Sequence, residues 1–261
     1  MVELRNPARE RLEAGEVSIG VGIRLARTAD IASMMKTAGM DWLFIDLEHG
    51  PLTLDQTAQI SGAALSSGIA PIVRVPHGEM AMATRALDGG ALGIVTPQCE
   101  SADEAREIVE RLHYAPEGTR SVVGGLPQFG FANPGMSEAM EAMNAAMLVI
   151  VMLESPNAIA RADEIAAVEG VDVLLIGTND LAAASGIPGE VGHEQIVANY
   201  ETVAAACKKH GKWMGMGGVP VPEIQEKYIS MGVRFVLAGQ DMSYLIAMAT
   251  NTVNRVRGYL D

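Results

Sequence analysis

Cysteines and long apolar runs are both scarce in this sequence. Of its 261 residues only Cys99 and Cys207 are cysteines, a number that supports neither a disulfide framework nor a thiolate metal site. The longest strictly apolar run, residues 145–153, is far too short to span a bilayer. Residues 1–15 are charged and helix-like, so they predict no secretory signal. We therefore expect a cytoplasmic protein with no membrane partner.

Positive charge is also in short supply. The chain has 19 lysines and arginines against 32 aspartates and glutamates, which gives a formal net charge of −13 at pH 7. A nucleic-acid partner would require an excess of cationic side chains to displace the counterions of the phosphate groups. The composition therefore predicts no nucleic-acid partner, while a hydrophobic content of 49% is typical of a globular protein with a large core.

One local pattern repeats along the chain. A glycine ends a helical segment, an apolar run rich in Val, Ile, Leu and Met follows, and polar residues end the run. Continuous apolar runs without alternation predict strands that are buried on both faces, as in parallel sheets. Eight such strands are predicted, over residues 17–23, 41–46, 71–75, 92–96, 147–153, 172–176, 212–216 and 234–238.

Eight strands that alternate with helices in a chain of this length predict an α/β fold of the (β/α)8 TIM-barrel class. We expect residues 1–261 to form a single barrel domain. A doubly wound open sheet is the alternative, but the strand count and the lack of a Gly-rich dinucleotide loop after the first strand favour the barrel. Residues 115–135 form a long Gly/Pro-rich segment, which we expect either to fold over the site or to contact a neighbouring subunit.

Barrel enzymes place their active sites at the carboxyl ends of the strands, so the polar residues there are the candidate functional residues. The second strand ends in Asp46, Glu48 and His49. Burying an unpartnered carboxylate costs several kcal/mol, so a folding core alone would not favour this pattern. We expect the Asp46 carboxylate to orient the His49 imidazole for acid/base chemistry. A polar cluster that caps the next helix is the structural alternative.

Arg74 lies near the end of the third strand, within the run Pro-Ile-Val-Arg-Val-Pro. Its guanidinium is always charged and requires an anionic partner in the protein interior. The functional interpretation is an electrophilic clamp on an oxyanion or carboxylate. An internal ion pair with one of the carboxylates is the alternative.

Glu154 and Asp180 follow the fifth and sixth strands and would face one point. Two hard oxygen ligands suit Mg²⁺ or Mn²⁺, which fill their remaining positions with water and substrate. Capping of the following helix by Asp180 is the alternative. The backbone amides around Gly177, Thr178 and Asn179 could hold a substrate carboxylate.

Lysine is missing from the predicted strand ends. The five lysines lie elsewhere, at positions 36, 208, 209, 212 and 227. A Schiff-base mechanism requires a desolvated lysine in the active site. Enolate chemistry in this barrel would therefore depend on a metal ion.

On these residues the chain resembles the HpcH/HpaI family of metal-dependent (class II) pyruvate aldolases over essentially its whole length. The motifs that carry the resemblance are Asp-Trp-Leu-Phe-Ile-Asp-Leu-Glu-His-Gly at 41–50, Val-Arg-Val-Pro at 73–76, Tyr-Ala-Pro-Glu-Gly-Thr-Arg at 114–120, Leu-Glu-Ser at 153–155, Val-Glu-Gly-Val-Asp at 168–172 and Ile-Gly-Thr-Asn-Asp-Leu at 176–181. Each motif alone is weak, but their order and spacing are specific to the family.

The resemblance implies a phosphoenolpyruvate/pyruvate-type barrel that assembles through dimers, usually into a hexamer, with a C-terminal helix that packs on a neighbouring subunit. It implies that Glu154 and Asp180 bind Mg²⁺, Mn²⁺ or Co²⁺, and that the ion chelates pyruvate through its carboxylate and keto oxygen. Arg74 would contact that keto oxygen, and His49 with Asp46 would form the acid/base pair. Glu48 would lie behind the metal ligands, near metal-bound water.

The expected function is cleavage of a 4-hydroxy-2-oxo acid into pyruvate and an aldehyde, reversible as an aldol addition through a metal-bound pyruvate enolate. Two alternatives stay open: a CoA-ester lyase of the malyl or citramalyl type, and a non-catalytic barrel that binds 2-oxo acids. Two positions differ from many family members and alter the pocket wall. Met152 stands where Gln is common, and Thr178-Asn179 stands where Pro-Ala or Pro-Ser is common.

Overall fold

The protein folds as a closed barrel of eight parallel strands. A computed structural model describes residues 4–259. The strands follow one another in chain order around the barrel, and the last strand pairs with the first. They are β1 (Ser18–Ile23), β2 (Trp42–Asp46), β3 (Ala70–Arg74), β4 (Gly93–Thr96), β5 (Leu148–Leu153), β6 (Val173–Gly177), β7 (Trp213–Gly217) and β8 (Val233–Gln240). Each lies within two residues of its expected ends, and the predicted (β/α)8 fold is confirmed.

Helices cover the outside of the barrel and lie between successive strands, except α1, which precedes β1, and α12, which follows β8. They are α1 (Pro7–Glu13), α2 (Asp30–Thr37), α3 (Leu54–Ser67), α4 (Met80–Asp88), α5 (Ala102–Leu112), α6 (Met136–Ala146), α7 (Pro156–Ala160), α8 (Ala162–Ala166), α9 (Thr178–Ala184), α10 (Glu194–His210), α11 (Pro222–Ser230) and α12 (Asp241–Arg257). Thr53 and Gln56 form a complete capping box at the start of α3, which stabilises that helix terminus. Within residues 4–259 no helix has both the length and the apolar character needed to cross a membrane.

The strands are buried on both faces, which explains their unbroken apolar runs. Side chains that point to the barrel axis fill the barrel itself, and those that point outward pack against the helices. In the interior the rings of Trp42 and Phe235 stack with their centroids 4.0 Å apart. Gly20 makes this possible, because a Cβ at that position would lie 2.1 Å from the Trp42 ring.

Helix α1 closes the amino end of the barrel, where the strands begin. The Asn6 side-chain amide donates to the carbonyl oxygens of Leu92 at 3.0 Å and Ala146 at 2.7 Å. One turn later Arg9 Nη2 donates to Asp172 Oδ1 at 2.8 Å. These bonds tie the helix to the starts of the strands and satisfy buried carbonyl groups.

The Gly/Pro-rich segment, residues 115–135, also packs at the amino end. The Gln128 side-chain amide donates to the carbonyl oxygens of Leu87 at 2.7 Å and Ala91 at 2.9 Å, in the connection between α4 and β4. The segment therefore does not cover the strand ends of its own chain, and the expectation that it folds over its own site is wrong. Contact with a neighbouring subunit stays a prediction.

The C-terminal helix α12 lies on the outside of the barrel and contacts β1 and β8. It has no buried residue. Its exposed apolar side chains are Met242, Tyr244, Leu245, Ile246, Met248, Val253 and Val256. A surface of this kind is typical of a helix that packs against another subunit.

Candidate active site

A pocket lies at the carboxyl ends of the strands, and it brings together the residues predicted to act in catalysis and substrate binding. Its wall includes Asp46, His49, Arg74, Gly177, Thr178, Asn179 and Asp180. Glu154 lines a neighbouring groove, and Asp180 belongs to both cavities. Residues that lie up to about 130 positions apart in sequence meet here because every parallel strand ends at the same rim.

A buried ion pair forms the base of the pocket. Asp46 and Arg74 are directly opposite each other where β2 pairs with β3. Arg74 Nε donates to Asp46 Oδ1 at 3.0 Å, and Arg74 Nη2 donates to Asp46 Oδ2 at 2.7 Å. Arg74 Nη1 lies 3.0 Å from Glu48 Oε2. The alternative interpretation of Arg74 as an internal ion pair therefore holds, and its action as an oxyanion clamp stays a prediction.

The Asp46 carboxylate also holds the loop that follows β2. Its Oδ1 accepts the backbone N–H groups of Glu48 and His49, each at 3.1 Å. Burial acts to raise the pKa of Asp46, but the Arg74 guanidinium and these backbone donors bring it below its ordinary value. Asp46 is therefore charged at neutral pH, and it fixes both the arginine and the loop.

The expected contact between Asp46 and the His49 imidazole is not what the structure shows. Asp46 accepts the backbone N–H of His49, whereas Nε2 of the ring lies 3.8 Å from Glu48 Oε2. The His49 side chain is 54% exposed. The reason is the turn after β2, which directs two amide groups at Asp46 and leaves the ring at the edge of the pocket.

Glu154 is a buried carboxylate in an environment rich in negative charge. Burial, with the charges of Asp180 and Glu48, raises its pKa to about 7, although the Gln98 backbone N–H and Arg74 act in the opposite direction. The Gln98 N–H donates to Glu154 Oε2 at 2.8 Å. Gln98 adopts a φ of 56°, an uncommon value for a residue other than glycine and one often found at functional sites.

Two glycines make room for functional side chains. A Cβ at Gly177 would lie 2.6 Å from Glu154 Cγ and 2.7 Å from its Oε1. A Cβ at Gly218 would lie 2.6 Å from the Asn179 side-chain nitrogen, and Gly218 also has a φ of +77°. Any larger residue would therefore displace Glu154 or Asn179.

Helix α9 begins immediately after β6 and carries Thr178, Asn179 and Asp180 in its first turn. Asp180 makes no capping hydrogen bond there, so the capping alternative for this residue is not what the structure shows. The Thr178 side chain is buried, and its hydroxyl is hydrogen-bonded to the Tyr200 hydroxyl at 2.7 Å. A substrate would therefore meet only the main chain of Thr178.

The donor set at the strand ends suits a hard divalent cation. Within residues 4–259 no three His, Cys, Asp or Glu side chains converge in a metal-binding geometry. Mg²⁺ commonly takes only one or two protein carboxylates and completes its octahedron with water and substrate. Burial, together with the negative charges of Asp180 and Glu48, raises the pKa of Glu154, and a bound cation would offset both effects. Glu154 and Asp180 therefore fit the predicted metal site.

Sequence reasoning missed Arg24 and Gln240, which also line the pocket. Arg24 is the first residue after β1. It therefore has the feature that identified the predicted site residues, a charged side chain at the end of an apolar strand. Gln240 was missed because β8 continues two residues beyond its predicted end at 238. The role of Gln98 depends on its backbone N–H, for which residue type gives no signal.

Comparison with known proteins places these residues in a family context. The profile of the HpcH/HpaI aldolase/citrate lyase family matches residues 24–247. The 4-hydroxy-4-methyl-2-oxoglutarate aldolase of Hapsidospora irregularis is 39% identical over 249 residues, which cover 94% of this chain and 92% of that protein. The 2-keto-3-deoxy-L-rhamnonate aldolase of Escherichia coli O157:H7 is 34% identical over 239 residues, 91% of this chain and 88% of that protein. An HpcH/HpaI aldolase structure from Desulfitobacterium hafniense DCB-2 superposes with a TM-score of 0.90 at 27% identity, covering 95% of this chain and 96% of that one.

Proposed function

The chain belongs to the HpcH/HpaI aldolase/citrate lyase family, and from that premise we propose that the pocket at the strand ends performs the chemistry of a class II pyruvate aldolase. The protein is a carbon–carbon lyase that cleaves 4-hydroxy-2-oxo acids to pyruvate and an aldehyde, and the same reaction runs in reverse as an aldol addition. The observation that carries the assignment of the site is the buried Asp46–Arg74 pair beside an excess of carboxylates at the same rim.

Glu154 and Asp180 would hold a divalent ion, Mg²⁺, Mn²⁺ or Co²⁺. Their oxygen donors and the excess negative charge around Glu154 support this assignment. When bound, the ion would offset the negative charge that develops on the substrate as the C–C bond breaks. Glu48, whose charge contributes to the raised pKa of Glu154, would lie behind these ligands.

Arg74 would bind the keto oxygen of the substrate. The guanidinium has five N–H donors, and its contacts with Asp46 and Glu48 occupy three of them. The remaining donors belong to the two terminal nitrogens and can meet a negatively charged oxygen in the pocket. Because both carboxylates fix the guanidinium in advance, it needs no reorganisation as charge develops on that oxygen.

His49 would move the proton of the C4 hydroxyl. As the C3–C4 bond breaks, its electron pair passes to C3 of the pyruvate half, and the hydroxyl becomes the carbonyl of the leaving aldehyde. The exposure of the ring and its position in the pocket wall support this assignment. Asp46 would support it by holding the backbone of the His49 loop, and Gly177, Asn179 and Asp180 would line the substrate.

We further propose a cytoplasmic homo-oligomer built from dimers, with a hexamer as the expected state. The exposed apolar side chains of α12 support an interface on this helix. The excess of negative charge supports a small-molecule substrate rather than a nucleic-acid partner.

A pyruvate-release screen over several 4-hydroxy-2-oxo acids, with and without EDTA, tests this proposal. We expect release from at least one substrate, loss of release in EDTA, and recovery when Mg²⁺ or Mn²⁺ is added in excess. Undiminished activity in EDTA would contradict the metal assignment. Cleavage of a CoA thioester with no release of pyruvate from any hydroxy-oxo acid would contradict the aldolase itself.

A further inference from the structure

A second arginine lies at the mouth of the pocket and has no role in the mechanism above. Arg24 directly follows β1 and lines the same wall as Asp46 and Arg74. Its side chain is 35% exposed, whereas that of Arg74 is 9% exposed. Arg24 therefore presents a positive charge to whatever enters the pocket.

In the part of the chain that the structure describes, the Arg24 guanidinium makes no hydrogen bond to a carboxylate. Its Nη2 donates to the backbone carbonyl of His49 at 2.8 Å, and its Nη1 lies 3.4 Å from Gln240 Oε1. Within residues 4–259 its ion pair is with Asp46 Oδ2, at 3.7 Å from Nε, which is beyond hydrogen-bond distance. Arg74 already occupies both oxygens of that carboxylate.

The backbone that carries Arg24 is held in place. The Asp241 carboxylate accepts the N–H groups of Arg24 at 3.3 Å, Leu25 at 2.9 Å and Ala26 at 2.7 Å. The strand end is therefore tied to the first residue of α12. A cation on a fixed strand end loses less entropy on binding an anion than one on a mobile loop.

We infer that Arg24 binds a second carboxylate of the substrate, on the half that leaves as the carbonyl product, and so selects 4-hydroxy-2-oxo diacids. This inference rests on the proposed aldolase function. Arg24 and Arg74 both approach Asp46 Oδ2, at 3.7 and 2.7 Å, so the two guanidinium groups are close neighbours. In such a diacid the C2 and C5 carbons are joined by three C–C bonds of about 1.5 Å each, a span that fits two neighbouring guanidinium groups.

The negative charge around the pocket also favours a role for the Arg24 guanidinium in binding a second carboxylate. Asp46, Glu48, Glu154 and Asp180 surround the pocket and its adjoining groove, and they would repel a second carboxylate. A charged hydrogen bond from Arg24 would offset that repulsion for a diacid and contribute nothing for a substrate with a methyl group there. The relative from Hapsidospora irregularis is named for a substrate of the diacid kind, 4-hydroxy-4-methyl-2-oxoglutarate.

The test compares two substrates that differ only at this position. Racemic 4-hydroxy-2-oxoglutarate has a carboxylate where racemic 4-hydroxy-2-oxopentanoate has a methyl group. Pyruvate formation from each is followed by NMR in excess Mg²⁺, and the ratio of the two kcat/KM values is the readout. In Arg24→Met we expect this ratio to fall by about 10- to 100-fold, on the scale of one lost charged hydrogen bond, mainly through KM for the diacid.

Two further variants control for structural effects. Arg24→Lys keeps the charge but not the forked donor geometry, so it should retain part of the ratio. Arg27→Met removes one positive charge from an exposed position in the same loop, outside the pocket, and should leave the ratio as in the wild type. A general loss of folding would lower both kcat/KM values and leave their ratio unchanged.

Three results would overturn the inference. One is an equal loss on both substrates in an Arg24→Met protein whose thermal unfolding matches that of the wild type, which would place Arg24 at the pyruvate half. Another is an unchanged ratio with unchanged rates. The third is a wild-type enzyme that prefers the pentanoate, and in each of these cases the aldolase function survives. If the wild type releases pyruvate from neither substrate nor from other hydroxy-oxo acids, the proposed function itself fails, and the inference fails with it.

Discussion

Both ends of the barrel contain buried or half-buried carboxylates with charged partners, but the carboxyl end also contains Glu154, whose one hydrogen bond among the described residues comes from a backbone N–H. At the amino end Asp172 accepts from Arg9 at 2.8 Å and from the Val149 N–H at 2.8 Å. Asp41 likewise accepts from Arg11 at 3.1 Å and from a backbone N–H at 2.9 Å. At the carboxyl end Glu154 has one backbone donor, and burial, with the neighbouring negative charges of Asp180 and Glu48, raises its pKa to about 7.

The difference separates charges that stabilise the fold from charges that perform chemistry. When a buried carboxylate has both a cationic partner and a backbone donor, these interactions offset much of its desolvation cost. They can also fix a helix to the first residues of the strands. An excess of carboxylates destabilises the folded protein unless a cation arrives, so it is retained where a ligand supplies that cation. The same residue types therefore have different roles at the two ends, and the following substitutions test that distinction.

Glu154→Gln should have the largest effect on turnover. We expect a loss of at least about 1,000-fold in pyruvate release, because a bound metal ion contributes several kcal/mol to transition-state stabilisation. The matched change at the other end, Asp172→Asn, should lower thermal stability but change kcat by less than about 3-fold. If Glu154→Gln kept near wild-type turnover and metal dependence, Glu154 would not be a ligand.

Arg74→Ala should cause the second-largest loss of turnover. We expect turnover to fall by at least about 100-fold, on the scale of losing one oxyanion donor. The Asp46 carboxylate would lose its partner, so the variant should also unfold at a lower temperature, and kcat is best measured well below that point. Arg9→Ala removes the guanidinium paired with Asp172 and serves as the control, with lower stability and little change in kcat. Comparable losses of kcat in Arg74→Ala and Arg9→Ala would contradict the assignment of catalysis to the carboxyl end alone.

The stability of the metal-free protein should depend on pH through Glu154. Its carboxyl group has a pKa of about 7 in the folded state against an ordinary value of 4.5. As the pH rises from 5 to 8, the folded protein must give up a proton that the unfolded chain has already lost, and stability falls. Glu154→Gln should remove this contribution and be more stable than the wild type at pH 8 by up to about 3 kcal/mol, with a smaller advantage near pH 5.

Thermal unfolding in EDTA across this pH range measures the difference. Excess Mg²⁺ should reverse the order of stability at pH 8, because only the wild type binds the ion well. A difference between the two proteins that is constant with pH would show that Glu154 has an ordinary pKa.

Asn6→Ala should have the smallest effect on chemistry and a moderate one on stability. The substitution removes the α1 cap and leaves the buried carbonyl groups of Leu92 and Ala146 without their donor. We expect a loss of about 1–3 kcal/mol and a lower midpoint of thermal unfolding, with kcat changed by less than about 3-fold. A large loss of kcat with unaltered stability would show that the amino end takes part in the reaction.

The sequence predicted most of the fold because its signals are local. Each buried strand of a parallel barrel is a short apolar run, and each polar strand end marks the same rim. Asp46, His49, Arg74 and Asp180 could therefore be assigned to one pocket from the sequence alone, and all four line that pocket in the structure. Arg24 was not predicted, although it too is a charged residue directly after an apolar strand.

Some features could not be predicted because they depend on directions in space. Spacing alone suggested that Asp46 would orient the His49 ring, but the turn after β2 directs the His49 backbone N–H at Asp46 instead. The Thr178 hydroxyl is hydrogen-bonded to Tyr200, which lies on the next helix, α10. The Gly/Pro-rich segment of residues 115–135 had two possible positions, and packing against Leu87 and Ala91 excluded coverage of its own site.

The sequence by itself determined the eight strands, the barrel and the set of charged groups at its rim, because hydrophobic burial and strand ends follow from residue type and order. Only the tertiary structure decided which of those charges are paired with each other and which are left in excess. Pairing depends on distances of a few ångströms between residues far apart in the chain, and those distances exist only once the barrel has closed.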